Sequence, residues 1–124
     1  MKRLLLLALF AQPAFSADCL FYKELNRGGT PLEQNSNQNS TYQLATAWND
    51  QISSVWVKDG FYAVLFDNPK FQVSKVLYLY GSGLSFSQNG WARTSGTAVN
   101  GGTGFNLDGL GYNKVTSSVL CLKD

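Results

Sequence analysis

The residues able to do chemistry in this chain are few, and their spacing argues against catalysis. The 124-residue sequence contains no histidine, so neither a Ser-His-Asp nor a Cys-His relay can be assembled and no histidine metal site exists. Its two cysteines, Cys19 and Cys121, stand at opposite ends of the chain, which is not the spacing of a zinc cluster. Gly101-Gly102-Thr103-Gly104 leads from no clean strand into a helix and does not read as a phosphate cradle. Asp50 and Asp108 are carboxylates with no spacing that marks an acid–base pair. The chain therefore reads as a binding protein, not an enzyme. One polar pattern does recur. Asn49-Asp50-Gln51-Ile52-Ser53-Ser54-Val55 and Asn113-Lys114-Val115-Thr116-Ser117-Ser118-Val119 share the Asn, both serines and the Val. Asn and Ser at such places shape the turn that leads into a strand, through side-chain to backbone hydrogen bonds.

The elements that must position these turns begin after a leader. Met1-Lys2-Arg3, the uncharged run Leu4 to Ala11, and Ala14-Phe15-Ser16 form the three-part pattern of a secretory signal peptide, with cleavage expected after Ser16. The apolar run is too short to span a bilayer, which takes roughly 20 residues. A lipid anchor on Cys19 is disfavoured by Asp18, where a small residue is wanted. Residues 17–124 are enough for one domain and not for two. Lys2 and Arg3 supply the whole formal charge of +2, because the remaining eight basic residues balance eight acidic ones. With no basic stripe, nucleic-acid binding is set aside. Export, to a periplasm or to the outside, implies an oxidising compartment, and a Cys19–Cys121 disulfide follows.

Strand signals dominate the rest. Cys19–Tyr22, Ser53–Val57, Phe61–Phe66, Val73–Tyr80 and Ser117–Leu122 are rich in β-branched and aromatic residues, and Gly, Asn, Ser and Pro clusters separate them. Leu44–Trp48 reads as a single helical turn at most. Two stretches of low complexity, Glu33–Ser40 and Gly81–Gly111, read as loops. Asn39-Ser40-Thr41 is formally a glycosylation acceptor. An all-β sandwich or barrel is expected.

The repeat extends beyond the Ser-Ser turns. Upstream of each lies an aromatic strand followed by a tight turn: Tyr22-Lys23-Glu24-Leu25-Asn26-Arg27-Gly28-Gly29, and Phe66-Asp67-Asn68-Pro69-Lys70-Phe71-Gln72-Val73. The order of aromatic strand, turn, long connection and Asn-to-Ser-Ser segment occurs twice. On these residues the chain resembles the βγ-crystallin superfamily over the whole region 17–124. Arg27 stands where an aromatic is usual, Val73 replaces a glycine, and the second half is longer by the stretch 81–104. The resemblance implies two Greek-key halves, about 18–59 and 60–124, packed as a sandwich. It leads to the expectation that the fourth strands are exchanged between halves, setting the last strand beside the first and Cys121 beside Cys19.

The resemblance also implies a calcium site. Calcium takes six to eight oxygens, and the first motif offers the Asp50 carboxylate, the Gln51 carbonyl and the Ser53 hydroxyl. Ligands shared between motifs add the Val115 carbonyl and the Ser117 hydroxyl. Lys114 departs from the motif, since an ammonium repels the ion. One competent site of modest affinity is expected, with Lys114 acting at the other as a built-in cation, and the first reading of function is an exported, non-enzymatic structural or stress-related protein that binds calcium weakly. Secreted proteins of similar fold include metalloproteinase inhibitors and killer toxins, so the alternative reading is an inhibitor or toxin-like protein. In that reading Trp91 and Arg93, in the 81–104 loop, contact a protein partner, because Trp and Arg are favoured anchors.

Overall fold

The structure is a computed structural model that describes residues 17–36, 40–41, 44–71, 75–87, 92–94 and 96–124, with only the backbone described at 40, 41 and 93. The expected leader, the Asn39 acceptor and Trp91 lie outside the described residues, as does the side chain of Arg93. Eleven strands are described, in chain order β1 (Cys19–Tyr22), β2 (Leu32–Gln34), β3 (Ser40–Thr41), β4 (Ser54–Lys58), β5 (Phe61–Phe66), β6 (Val76–Tyr80), β7 (Ser85–Ser87), β8 (Ala92–Arg93), β9 (Thr97–Val99), β10 (Gly102–Asn106) and β11 (Ser118–Lys123). Three 3-10 turns join them, at Leu25–Arg27, Pro69–Phe71 and Leu107–Leu110.

Two antiparallel sheets form, in the orders β2-β1-β4-β10-β9 and β3-β11-β5-β6-β7-β8. Alternation along each strand sends one set of side chains between them. Phe21, Val55, Val57 and Phe105 from the first sheet meet Ala63, Leu65, Leu77, Leu79 and Val119 from the second, and Ile52 and Leu107 are equally buried. The outer faces are apolar too. Trp56 lies over Gly102 and donates its Nε1–H to the Val99 carbonyl at 2.8 Å, beside Leu20 and Tyr22. On the opposite side Tyr62 stacks on Tyr80 at 5.0 Å, and Phe86 meets Tyr80 edge-on at 5.7 Å. Trp48 is half-buried and packs against the core.

The halves do exchange strands, but the exchanged strands are the third and not the fourth. β4 pairs with β1 of its own half, Cys19 to Val57 through Tyr22 to Ser54. Likewise β11 pairs with β5, Ser118 to Phe66 through Lys123 to Phe61. It is β3 that crosses to β11 and β10 that crosses to β4. The physical reason is the anchoring of the fourth strand. The Ser54 hydroxyl bonds the Leu25–Arg27 turn and the Ser118 hydroxyl bonds the Pro69–Phe71 turn, which ties each fourth strand to its own first strand. Cys19 and Cys121 therefore face one another across the core, one from each sheet, and form the expected disulfide with a Cα separation of 6.1 Å.

The Gly-rich stretch is also more ordered than its composition implied. β7 and β8 extend one sheet, β9 extends the other, and β10 is the exchanged third strand. Asn100 and Gly101, with φ of 53° and 80°, make the two-residue turn between β9 and β10, the conformation for which Asn-Gly is preferred. Glycine is required at 102 because a Cβ there would run into the Val57 carbonyl and the Trp56 ring.

Two outcomes follow from this packing. The disulfide spans 102 residues of sequence, so replacing Cys19 and Cys121 together by alanine should lower the unfolding free energy in urea by about 4 kcal/mol. Thr116 Oγ1 is buried and has no hydrogen-bond partner among the described residues, at the place that Ile52 fills in the other half. Thr116→Val should raise stability by about 1 kcal/mol, because an unsatisfied hydroxyl is replaced by a methyl of the same shape.

Candidate functional site

The two Asn-to-Ser-Ser turns meet at the seam between the halves. The Asp50 N–H donates to the Thr116 carbonyl at 2.9 Å, and the Lys114 N–H donates to the Ile52 carbonyl at 2.9 Å. Asp50 and Lys114 occupy equivalent left-handed positions, φ 58° and 57°. The flanking bonds repeat as well. Ser53 N–H donates to Tyr22 O and Ser117 N–H to Phe66 O, while Leu107 N–H donates to Ser53 O and Leu44 N–H to Ser117 O. The turns are therefore related by an approximate two-fold, and each lies against the other's strand entry.

That arrangement sorts the oxygen donors crosswise. The Ser117 hydroxyl donates to Asp50 Oδ1 over 3.4 Å, so Asp50 and Ser117 are brought together from different halves. By the same approximate two-fold, Ser53 and Lys114 are the counterparts of Ser117 and Asp50. There the Lys114 ammonium donates to the Lys23 carbonyl at 3.4 Å, and the Lys23 ammonium lies 4.9 Å from the centre of the Trp48 ring. Gln51 is exposed and its N–H is used by the Trp48 carbonyl. Val115 is half-buried and packs against the core. One turn thus carries a carboxylate with a hydroxyl, and the other carries a lysine.

The two hairpin tips, which the sequence marks only as tight turns, are the other built feature. Ser54 Oγ donates to the Glu24 carbonyl and accepts the Arg27 N–H at 3.0 Å. Ser118 Oγ donates to the Asn68 carbonyl at 2.6 Å and accepts the Phe71 N–H at 3.2 Å. These bonds hold Asn26 and Arg27, at φ 56° and 60°, and Lys70 and Phe71, at 61° and 56°, in left-handed conformations that non-glycine residues adopt only when the surroundings impose them. The first tip is braced further. Asn106 Oδ1 accepts the Asn26 N–H at 2.8 Å, and Asn106 Nδ2 donates to Asn26 Oδ1 at 2.8 Å. This braced tip raises Leu25 to 40% exposure, the one large hydrophobic so exposed among the described residues. The visible signal was Asn26-Arg27-Gly28-Gly29 itself, a turn sequence with an apolar residue at its crest.

Tyr112 secures the second half from below. Its hydroxyl lies 3.0 Å from the Leu65 carbonyl and 2.9 Å from the Lys75 carbonyl. Burial, reinforced by the Asp67 carboxylate, pushes the phenol well above its ordinary pKa. It is a fixed hydrogen-bond donor and not an acid–base group.

The model of peptidase inhibitor family I36 matches residues 19–76. A structure solved in a study of the evolution of the eye lens βγ-crystallin domain fold aligns with a TM-score of 0.61 at 16% identity, covering 92% of this chain and 95% of that one. A βγ-crystallin from Ciona intestinalis aligns with a TM-score of 0.50 at 21% identity, covering 86% and 98%. No curated protein matches the sequence significantly. The protein has the βγ-crystallin fold.

Loss of either serine lock should be felt equally in the two halves. Ser54→Ala strands the Glu24 carbonyl and the Arg27 N–H, and Ser118→Ala strands their counterparts at Asn68 and Phe71. Each should cost about 1–3 kcal/mol in urea unfolding.

Proposed function

We propose that this chain is an exported, non-enzymatic protein inhibitor of a peptidase. The observation that carries the reading is the match of residues 19–76 to the peptidase inhibitor family model. Export is supported by the leader-like residues 1–16 and by the Cys19–Cys121 disulfide. A rigid tip suits the role, because a loop already held in its bound conformation loses little entropy on docking. Leu25 rides on such a tip, inside the matched region, and its neighbours Asn26 and Arg27 are tied to Ser54 and Asn106. The Trp91 and Arg93 segment is the other candidate contact, with Trp as a hot-spot residue type.

The test is a titration of residues 17–124 against representative secreted metallo-, serine, cysteine and aspartic peptidases. Stoichiometric inhibition of one class, with a complex stable in gel filtration, is expected. Leu25→Asp should weaken inhibition at least about tenfold if the tip is the contact, since truncation at hot spots costs about 2 kcal/mol or more. Trp91→Ala should do so if the 81–104 segment is the contact. Rapid cleavage of the intact protein by every class, with no inhibition, would refute the proposal.

A second reading concerns calcium and rests on Asp50 and Ser117. Their oxygens come from different halves and lie 3.4 Å apart, and with backbone carbonyls of the two turns they are donors of the kind a hard cation takes. A single carboxylate gives the donor set one negative charge, so calcium would bind weakly here, with Kd of about 0.1–1 mM as in extracellular modules. Calorimetric titration should show one binding event that disappears in Asp50→Asn. Lys114→Asp, which puts a carboxylate beside Ser53, should add a second event. No heat with the native protein would remove calcium from the account.

A further inference from the structure

The approximate two-fold makes one substitution between the halves conspicuous. At the end of the second hairpin tip, Phe71 packs against Phe66 with ring centres 5.4 Å apart. At the equivalent place in the first half the side chain is Arg27, on the same left-handed backbone. Its guanidinium does not turn away into solvent. It lies across the Gly104 backbone so closely that a methyl group at Gly104 would sit 2.6 Å from Nη1. The half-buried arginine therefore lines a groove of about 190 Å³, whose other walls include Asn26, Asn106, Asp108, Leu110 and Thr97.

The groove is rich in donors. No carboxylate forms an ion pair with Arg27 among the described residues, although Glu24, Glu33 and Asp108 belong to the same end of the molecule. Asn26 and Asn106 use one amide proton and both amide oxygens on each other. The Asn26 Nδ2 protons and the second Asn106 Nδ2 proton take no part in these bonds, and both side chains are exposed. Asp108 Oδ1 accepts the N–H of Gly109 at 2.8 Å, which engages part of the only acid in the lining. A planar guanidinium flanked by primary amides matches a carboxylate, whose two oxygens accept parallel hydrogen bonds from Arg.

We propose that Arg27, with the side-chain amides of Asn26 and Asn106, forms a carboxylate-binding site in the groove between the first hairpin tip and β10. Its ligand is a peptide carboxylate, borne either on an acidic side chain or at a chain end. The site stands independently of peptidase inhibition, since it would bind such a peptide whether or not a peptidase supplies it.

The experiment uses residues 17–124 and three N-acetylated tripeptides, amidated at the C-terminus except where a free end is stated. One carries a glutamate side chain, one ends in a free α-carboxylate, and the third is the neutral glutamine analogue. Nitrogen-edited NMR follows the Arg27 Nε–H and the Asn26 and Asn106 side-chain amides. Saturable shifts of these signals with one or both acidic peptides, and none with the neutral one, are expected, and the peptide that binds identifies the source of the carboxylate. Arg27→Phe, which installs the residue already tolerated at position 71, should weaken binding by about tenfold or more, the equivalent of one charged hydrogen bond. Arg27→Gln serves as a second variant, and the melting temperature of each reports folding. Asp108→Asn should tighten binding about two- to threefold by removing a like charge at the groove wall. Absence of saturable shifts, equal shifts from the neutral peptide, or unchanged binding in a folded Arg27 variant would overturn the proposal.

Discussion

Each half of this molecule is organised by one buried serine hydroxyl. Ser54 and Ser118 each donate to a carbonyl and accept an N–H of the hairpin tip in their own half. A buried hydroxyl satisfied in both directions costs nothing in lost hydrogen bonds and is expensive to disturb. The lock fixes the fourth strand beside the first, so β1 with β4 and β5 with β11 form two anchored pairs. The third strand is the member left to cross, and its crossing joins the halves into one core. The disulfide then closes that core from the inside, between strands of different sheets.

With the frame made symmetric by these locks, the two halves differ in the side chains they carry at equivalent positions. Asp50 and Lys114 share a backbone conformation and opposite charge, so one turn presents a carboxylate to Ser117 while the other sends an ammonium to the Lys23 carbonyl. Arg27 and Phe71 share another, and the first gives a cation over a glycine where the second gives ring packing. Thr116 sits where Ile52 does and leaves a hydroxyl unsatisfied. The first two differences change the surface and the third the core, and all leave the strand order untouched, which is how one fold hosts unrelated binding roles.

The added strands have a similar logic. β7 and β8 lengthen one sheet and β9 lengthens the other, widening both beyond the minimal four strands of each sheet. Several glycines around these strands and in β10 are a packing requirement. Gly81 stands against the Lys58 carbonyl, Gly102 against Val57 and Trp56, and Gly104 under Arg27. A composition that looks unstructured is here the condition for close approach of backbones.

Much was legible in the residues alone, because local chemistry repeats faithfully. The all-β class, the twofold order of aromatic strand, turn and Ser-Ser segment, and the pairing of the only two cysteines follow from residue type and spacing. What the sequence could not determine was any property that depends on which strand lies beside which. The exchange of third strands joins residues such as Val55 and Phe105, or Thr41 and Val119, the crosswise contact joins Asp50 to Ser117, and Arg27 is placed on Gly104, all far apart in the sequence. No local periodicity encodes such contacts. They arise only when the serine locks fix two strand pairs and burial of the shared core brings the two sheets face to face.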